Sequence, residues 1–127
     1  MCFMEQNNQS FTHWEVWKKA RVLKNEVKDL VSVFPAEENY KLTNQIIRSS
    51  RSINANIAEG YERFTYKDQL HYCIKARGLL TETLNHLIDA FDCNYNSQTQ
   101  LDYFKVMNDE VGRILNGYKT FFRNKLK

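Results

Sequence analysis

Proline is nearly absent from this chain: Pro35 is the only one in 127 residues, and there are just four glycines. A sequence so poor in turn residues does not read as a β-sandwich, which needs a turn signal every dozen residues or fewer. Cysteine is equally sparse. Cys2, Cys73 and Cys93 form no C-x-x-C pair and no metal-ligand spacing. That excludes a disulfide framework, and an odd number of scattered thiols fits a reducing, cytoplasmic compartment. No apolar run exceeds a few residues, so no membrane-spanning helix is expected. The first ten residues are polar and include Glu5, which does not suit a secretory signal. Neither sign of charge dominates, since 18 basic and 15 acidic residues leave a net charge of +3. The total therefore does not mark a nucleic-acid binder. Disorder is excluded by an apolar content of 43%. What remains is one helical domain, expected over residues 12–127 after a flexible segment at 1–11.

Helical periodicity fills the space that the absences leave. Thr12 and Glu15 have the spacing of a capping box, in which hydroxyl and carboxylate each satisfy a backbone N–H of the first turn. His13, Val16, Ala20, Leu23, Val27, Leu30, Val31 and Phe34 then share one face, and Pro35 ends the helix. A second helix is expected to start near Glu37 or Glu38, bury Leu42, Ile46, Ser49, Ser50, Ile53 and Ile57, and end at Gly60. Thr65 and Asp68 open a third, carried by Leu70, Cys73, Leu80, Leu84, Leu87, Ile88 and Phe91. After a polar turn from Asp92 to Asn96, Ser97 and Gln100 form another capping box. Leu101, Phe104, Val111, Leu115, Tyr118 and Phe122 follow. Long amphipathic helices with short connections predict an all-α fold, an antiparallel up-down-up-down four-helix bundle.

Two features point beyond a single bundle. On the fourth helix, Tyr103, Met107, Ile114 and Phe121 form an outer apolar stripe beside the core stripe. A monomeric bundle needs a narrower apolar face, so the extra stripe is expected to cover another subunit. On the second helix, Gln45, Ser49, Ser52 and Asn56 line one flank. Small polar residues at this spacing suit either a close subunit contact or a solvated flank.

Charge placement carries the candidate binding site. Residues 12–34 hold five basic and three acidic side chains, and residues 97–127 hold six and three. Trp17, Arg21, Lys24 and Lys28 recur every three or four residues as a ridge on the first helix. Cations neutralise phosphates and an indole offers a stacking platform to an unpaired base. The alternative is a helix whose tryptophan wedges against a neighbour while its lysines face water. First and fourth helices are neighbours in such a bundle. Lys119, Arg123, Lys125 and Lys127 are therefore expected to extend the ridge into one strip, partly offset by Glu15, Glu26 and Asp29. Arg77 projects into the core stripe of the third helix. A buried guanidinium needs a partner, and Glu59 is a better candidate than Glu82; the alternative is a side chain that snorkels out between helices.

No constellation supports catalysis. Asp68-x-x-His71 is half of a di-metal element whose second copy is missing, since Glu82 and His86 are four apart. Cys73 reads as a core thiol, and there is no glycine-rich phosphate loop. A non-catalytic protein is expected, with no metal and no cofactor.

One stretch is distinctive as a string. Residues 42–63 read LTNQIIRSSRSINANIAEGYER, preceded by Trp17, Ala20 and Phe34-Pro35 and followed by IKARGLLTETL over residues 74–84. Across roughly residues 11–122 the chain resembles the small four-helix-bundle family encoded in intervening sequences of bacterial 23S ribosomal RNA genes. That family is similar to the accessory proteins of diversity-generating retroelements. Asn56 to Gly60 is its most specific segment. Leu79 stands where serine is usual and Leu84 where a second carboxylate is usual. The resemblance implies a ring, commonly a homopentamer, and no catalytic residue. It favours the subunit-contact reading of Gln45, Ser49, Ser52 and Asn56. The accessory members bind nucleic acid and contact a reverse transcriptase. The expected function is thus a scaffold for RNA, DNA or an RNA-handling protein, with no membrane partner. The alternatives are a self-contained structural oligomer without external ligand, or an enzyme with an intersubunit site.

Overall fold

The protein is all-helical in a computed structural model that describes residues 10–127. Four helices make a four-helix bundle: α1 (Glu15–Val31), α2 (Leu42–Tyr61), α3 (Tyr66–Asp92) and α4 (Gln98–Lys125). The expected flexibility of residues 1–9 lies outside the described residues. Phe11, expected in the same segment, opens a 3-10 turn (Phe11–His13) and packs edge-on against Trp17 at 5.2 Å.

Helix starts follow local chemistry in two cases of four. Thr65 accepts from Asp68 N at 3.1 Å and caps α3. Ser97 and Gln100 exchange both bonds of a capping box at the start of α4. The Thr12–Glu15 box does not form. Ser10 takes the capping role for the 3-10 turn, Trp14 precedes α1 without a side-chain cap, and His13 is exposed rather than in the core. The start of α2 is also later than Glu37. Pro35 is extended, and a second 3-10 turn (Ala36–Glu38) uses those acidic residues before the helix begins at Leu42.

Gly60 does not end α2 as a left-handed cap. No glycine has positive φ, and Gly60 is buried inside the last turn. A Cβ there would stand 3.0 Å from the Tyr72 Cβ, so the missing side chain lets α3 approach α2. Asn94, at φ 64°, is the one non-glycine residue with positive φ among those described, and it turns the chain between α3 and α4. Asparagine tolerates that region better than most residues.

The core runs the length of the bundle. Val16, Leu23 and Val27 from α1 meet Ile46 and Ile53 from α2, Leu80 and Leu87 from α3, and Val111, Leu115 and Phe122 from α4. α2 and α3 share the broadest contact; α1 and α4 share the narrowest of the four neighbouring pairs. Polar bonds cross the interior between helices. Ser49 and Thr83 hydroxyls meet at 2.8 Å between α2 and α3. Asn108 Nδ2 donates to the Leu80 carbonyl at 2.9 Å between α4 and α3, and Asn54 Nδ2 to the Trp17 carbonyl at 3.2 Å between α2 and α1. Among the described residues, no helix is long and apolar enough to cross a membrane.

Candidate functional site

The two flanks of α1 differ in chemistry, because residues three and four apart stay on one side of a helix. On the α4 side stand Glu15, Lys19, Val22 and Glu26. Lys19 bonds Glu110 of α4 and lies 3.8 Å from Glu15. That contact raises the Lys19 pKa and lowers that of Glu110. The neighbouring Glu26 carboxylate pushes the Tyr103 pKa up. Trp14 Nε1 donates to Tyr118 Oη at 2.6 Å.

On the α2 side stand Trp17, Arg21, Lys24 and Lys28. Trp17 is half-buried, with the Arg21 guanidinium 5.8 Å from its ring centre. Its indole is thus already engaged on two sides, by Phe11 and Arg21. Lys24 and Lys28 line a partly enclosed groove of about 120 Å³ with Asn25, Ile47, Ser50 and Arg51. The acidic residues expected to offset this ridge do not reach it. Glu26 and Asp29 line a different depression with Leu30, Gln100, Tyr103 and Phe104, and Glu15 sits by Lys19.

The basic residues of α4 do not extend the ridge. Cys73 of α3 donates its thiol to the Leu115 carbonyl at 3.2 Å, and burial pushes its pKa up to about 11. Lys119 and Arg123 lie close enough to this thiol to pull that value partly back, which puts them on the α3 side. Lys125 sits over the Phe121 ring at 5.4 Å, and Lys127 is exposed. The expected strip therefore divides. Trp17, Arg21, Lys24 and Lys28 share the α1/α2 side, while Lys119 and Arg123 face α3. Arg51 joins the first group. Its place beside Lys24 and Lys28 follows from how α2 docks on α1, not from spacing along either helix.

The expected contact residues also separate. Ser49 is buried and its hydroxyl bonds Thr83, so it holds two helices of one chain together and is not a subunit contact. Asn56 is half-buried and donates to the Ser52 carbonyl at 2.8 Å within α2. Ser52 is half-buried, and Gln45 is exposed. On α4, Tyr103 is 51% exposed, and Met107, Ile114 and Phe121 are half-buried against the core. Ile114, Gly117, Tyr118 and Phe121 line an open apolar depression of about 370 Å³. Val106 (67% exposed) and Val22 (51%) enlarge this face. Val106 lies outside the inward periodicity, so only its exposure reveals it.

Arg77 does not pair with Glu59. Its Nη1 donates to Thr81 Oγ1 at 2.9 Å, and its guanidinium lies over Gly112 of α4, where an added Cβ would sit 3.5 Å away. The side chain leaves the core along the α3/α4 groove and brings its charge to the surface. Glu59 instead meets Arg63 at 3.4 Å, one turn along. Arg63 also donates to Tyr72 Oη at 2.8 Å, with its guanidinium 4.8 Å from the ring centre. His86 lies 3.7 Å from Glu82 and 3.9 Å from Asp89 on the same helix.

Comparison with known families follows the same boundaries. The model of the 23S rRNA-intervening sequence protein family matches residues 12–117, most of the bundle. The chain belongs to this family. In this family member the match spans α1, α2 and α3 and ends within α4, before Tyr118 and the basic residues Lys119, Arg123 and Lys125. No curated protein matches the chain.

Proposed function

We propose that this 23S rRNA-intervening sequence protein is a non-catalytic building block of a cytoplasmic homo-oligomer, a pentamer, that binds nucleic acid without sequence preference. The observation that carries the reading is the division of α1. Its α4 side meets an exposed apolar face, while the cations on its α2 side have no ion-pair partner among the described residues. A surface divided in this way can be covered by a copy of itself on one side and keep the other side open to a polyanion. Contacts between residues 14 and 118 and between 19 and 110 run in opposite senses along α1 and α4, which supports an up-down-up-down order. Cys73 and Cys93 as free thiols support a reducing compartment. One subunit offers few phosphate contacts, so binding is weak and falls steeply with salt, and repetition around an oligomer raises it by avidity.

The test pairs light scattering with low-salt titration of labelled RNA and DNA. An oligomeric mass is expected, with binding that weakens in R21A/K24A/K28A while the mass stays the same. A monomer at micromolar concentration overturns the assembly. An intact oligomer that binds neither nucleic acid overturns the second half and leaves a structural oligomer without external ligand.

A further inference from the structure

The groove between α1 and α2 gathers cations from two helices. Lys24 and Lys28 come from α1 and Arg51 from α2, with Asn25 and Ser50 beside them and Ile47 as an apolar wall. Among the described residues, no carboxylate lines it. Among the described residues every ion pair lies elsewhere, at Lys19, Arg63 and His86. Three like charges around one partly enclosed space repel one another, and an apolar wall strengthens that repulsion by lowering the local dielectric. An oxyanion between them reverses the sign of the interaction.

Size and rigidity narrow the ligand. A groove of about 120 Å³ is too small for a typical organic ligand, which needs roughly 300 Å³ or more. It accommodates a single phosphate group. The Ser50 hydroxyl donates to the Ile47 carbonyl of its own helix at 3.1 Å, which leaves the cations and the Asn25 amide as donors to a ligand. The same two helices are tied to each other by the Asn54–Trp17 bond. Arg51 offers a planar fork suited to two phosphate oxygens, and the lysines add point charges.

We propose that this groove is an oxyanion seat for one phosphate group, held by Arg51 with Lys24 and Lys28. A polynucleotide as the source of that phosphate rests on the function proposed above, whereas the seat itself does not. The experiment uses the full chain in two arms. In the first, inorganic pyrophosphate is titrated against chloride at matched ionic strength while thermal unfolding is followed. In the second, labelled RNA is titrated at several salt concentrations. Both arms compare the unaltered protein with Arg51→Met, Arg51→Lys and, as a control, Arg48→Met. Arg48 is exposed on α2 and does not line the groove.

Pyrophosphate at tenfold excess over its Kd is expected to raise the melting temperature by about 5 °C, an effect lost in Arg51→Met and kept in Arg48→Met. Arg51→Met is also expected to weaken RNA binding about tenfold and lower the salt slope by about one, with Arg51→Lys in between. A pyrophosphate effect without RNA binding upholds the seat for a free phosphate and overturns the nucleic-acid reading. RNA binding that Arg51→Met leaves intact, with no pyrophosphate effect, overturns the seat and spares that reading. Equal losses in Arg51→Met and Arg48→Met also overturn the seat, because they show only a general loss of positive charge. Absence of both effects overturns the two together.

Discussion

Gly60 and Gly78 are both helical glycines, yet their neighbours give them opposite roles. A methyl at Gly60 would meet the Tyr72 Cβ at 3.0 Å, an atom fixed to the α3 backbone. Gly60→Ala is expected to destabilise the protein by about 1–3 kcal/mol, because the helices have to separate. Gly78 has nothing within 4 Å of the added atom. Gly78→Ala is expected to stabilise by up to ~1 kcal/mol through helix propensity alone. Guanidinium denaturation of the two variants checks the contrast. Cys73 offers a second residue-level test. Its thiol ionises near pH 11 in the folded protein against an ordinary value of 9.0. Below pH 9 neither state carries the thiolate. Between about pH 9 and 11 only the unfolded chain gains it, so this contribution to stability falls as pH rises. Denaturation at pH 8 and pH 10.5 is expected to show a larger loss for the unaltered protein than for Cys73→Ala. Equal losses would mean that the thiol is not held protonated by the fold.

The elements were largely legible in the sequence, and the exceptions have physical causes. All four helices carry an apolar stripe at helical spacing, and Ser97-x-x-Gln100 marks the start of α4 with no help from tertiary structure. Thr12-x-x-Glu15 has equal local merit but loses to packing. Phe11 is drawn onto Trp17 and Trp14 onto Tyr118, and the helix begins only after both rings are placed. Ser97→Ala is therefore expected to cost about 1 kcal/mol, and Thr12→Ala much less. Chemical denaturation of the pair measures this directly. The exit of Arg77 is hard to read from the sequence for a related reason. A helical projection shows which face a Cα occupies, but not that Gly112 on the next helix opens a channel for the guanidinium to leave. The position of the candidate binding groove was half legible. Lys24 and Lys28 follow from one helix's spacing, whereas Arg51 and the exclusion of Glu26 and Asp29 depend on how α1 is rotated between α2 and α4.

At the scale of the molecule, that rotation decides which surface is left for association. Val22, Tyr103, Val106, Ile114 and Phe121 border the narrowest of the helix contacts, and the Lys19–Glu110 pair crosses the same face. If another subunit covers this face, folding and assembly are linked, and the melting temperature rises with protein concentration. Val106→Glu is expected to reduce both the oligomer mass and that concentration dependence while leaving helical circular dichroism intact. Val106 is 67% exposed, so the charge meets water in the separate subunit. An unchanged mass would place the subunit contact elsewhere. The polar bonds inside the bundle have a further consequence, for motion. Sliding one helix along its neighbour by a turn moves it about 5.4 Å. For α4 that would carry the Asn108 amide away from the Leu80 carbonyl into apolar surroundings, at a cost of about 1–3 kcal/mol. Ser49–Thr83 and Asn54–Trp17 impose the same penalty on the α2/α3 and α1/α2 contacts. The bundle can fray at its ends or open along the α1/α4 seam, but its helices are keyed against shear.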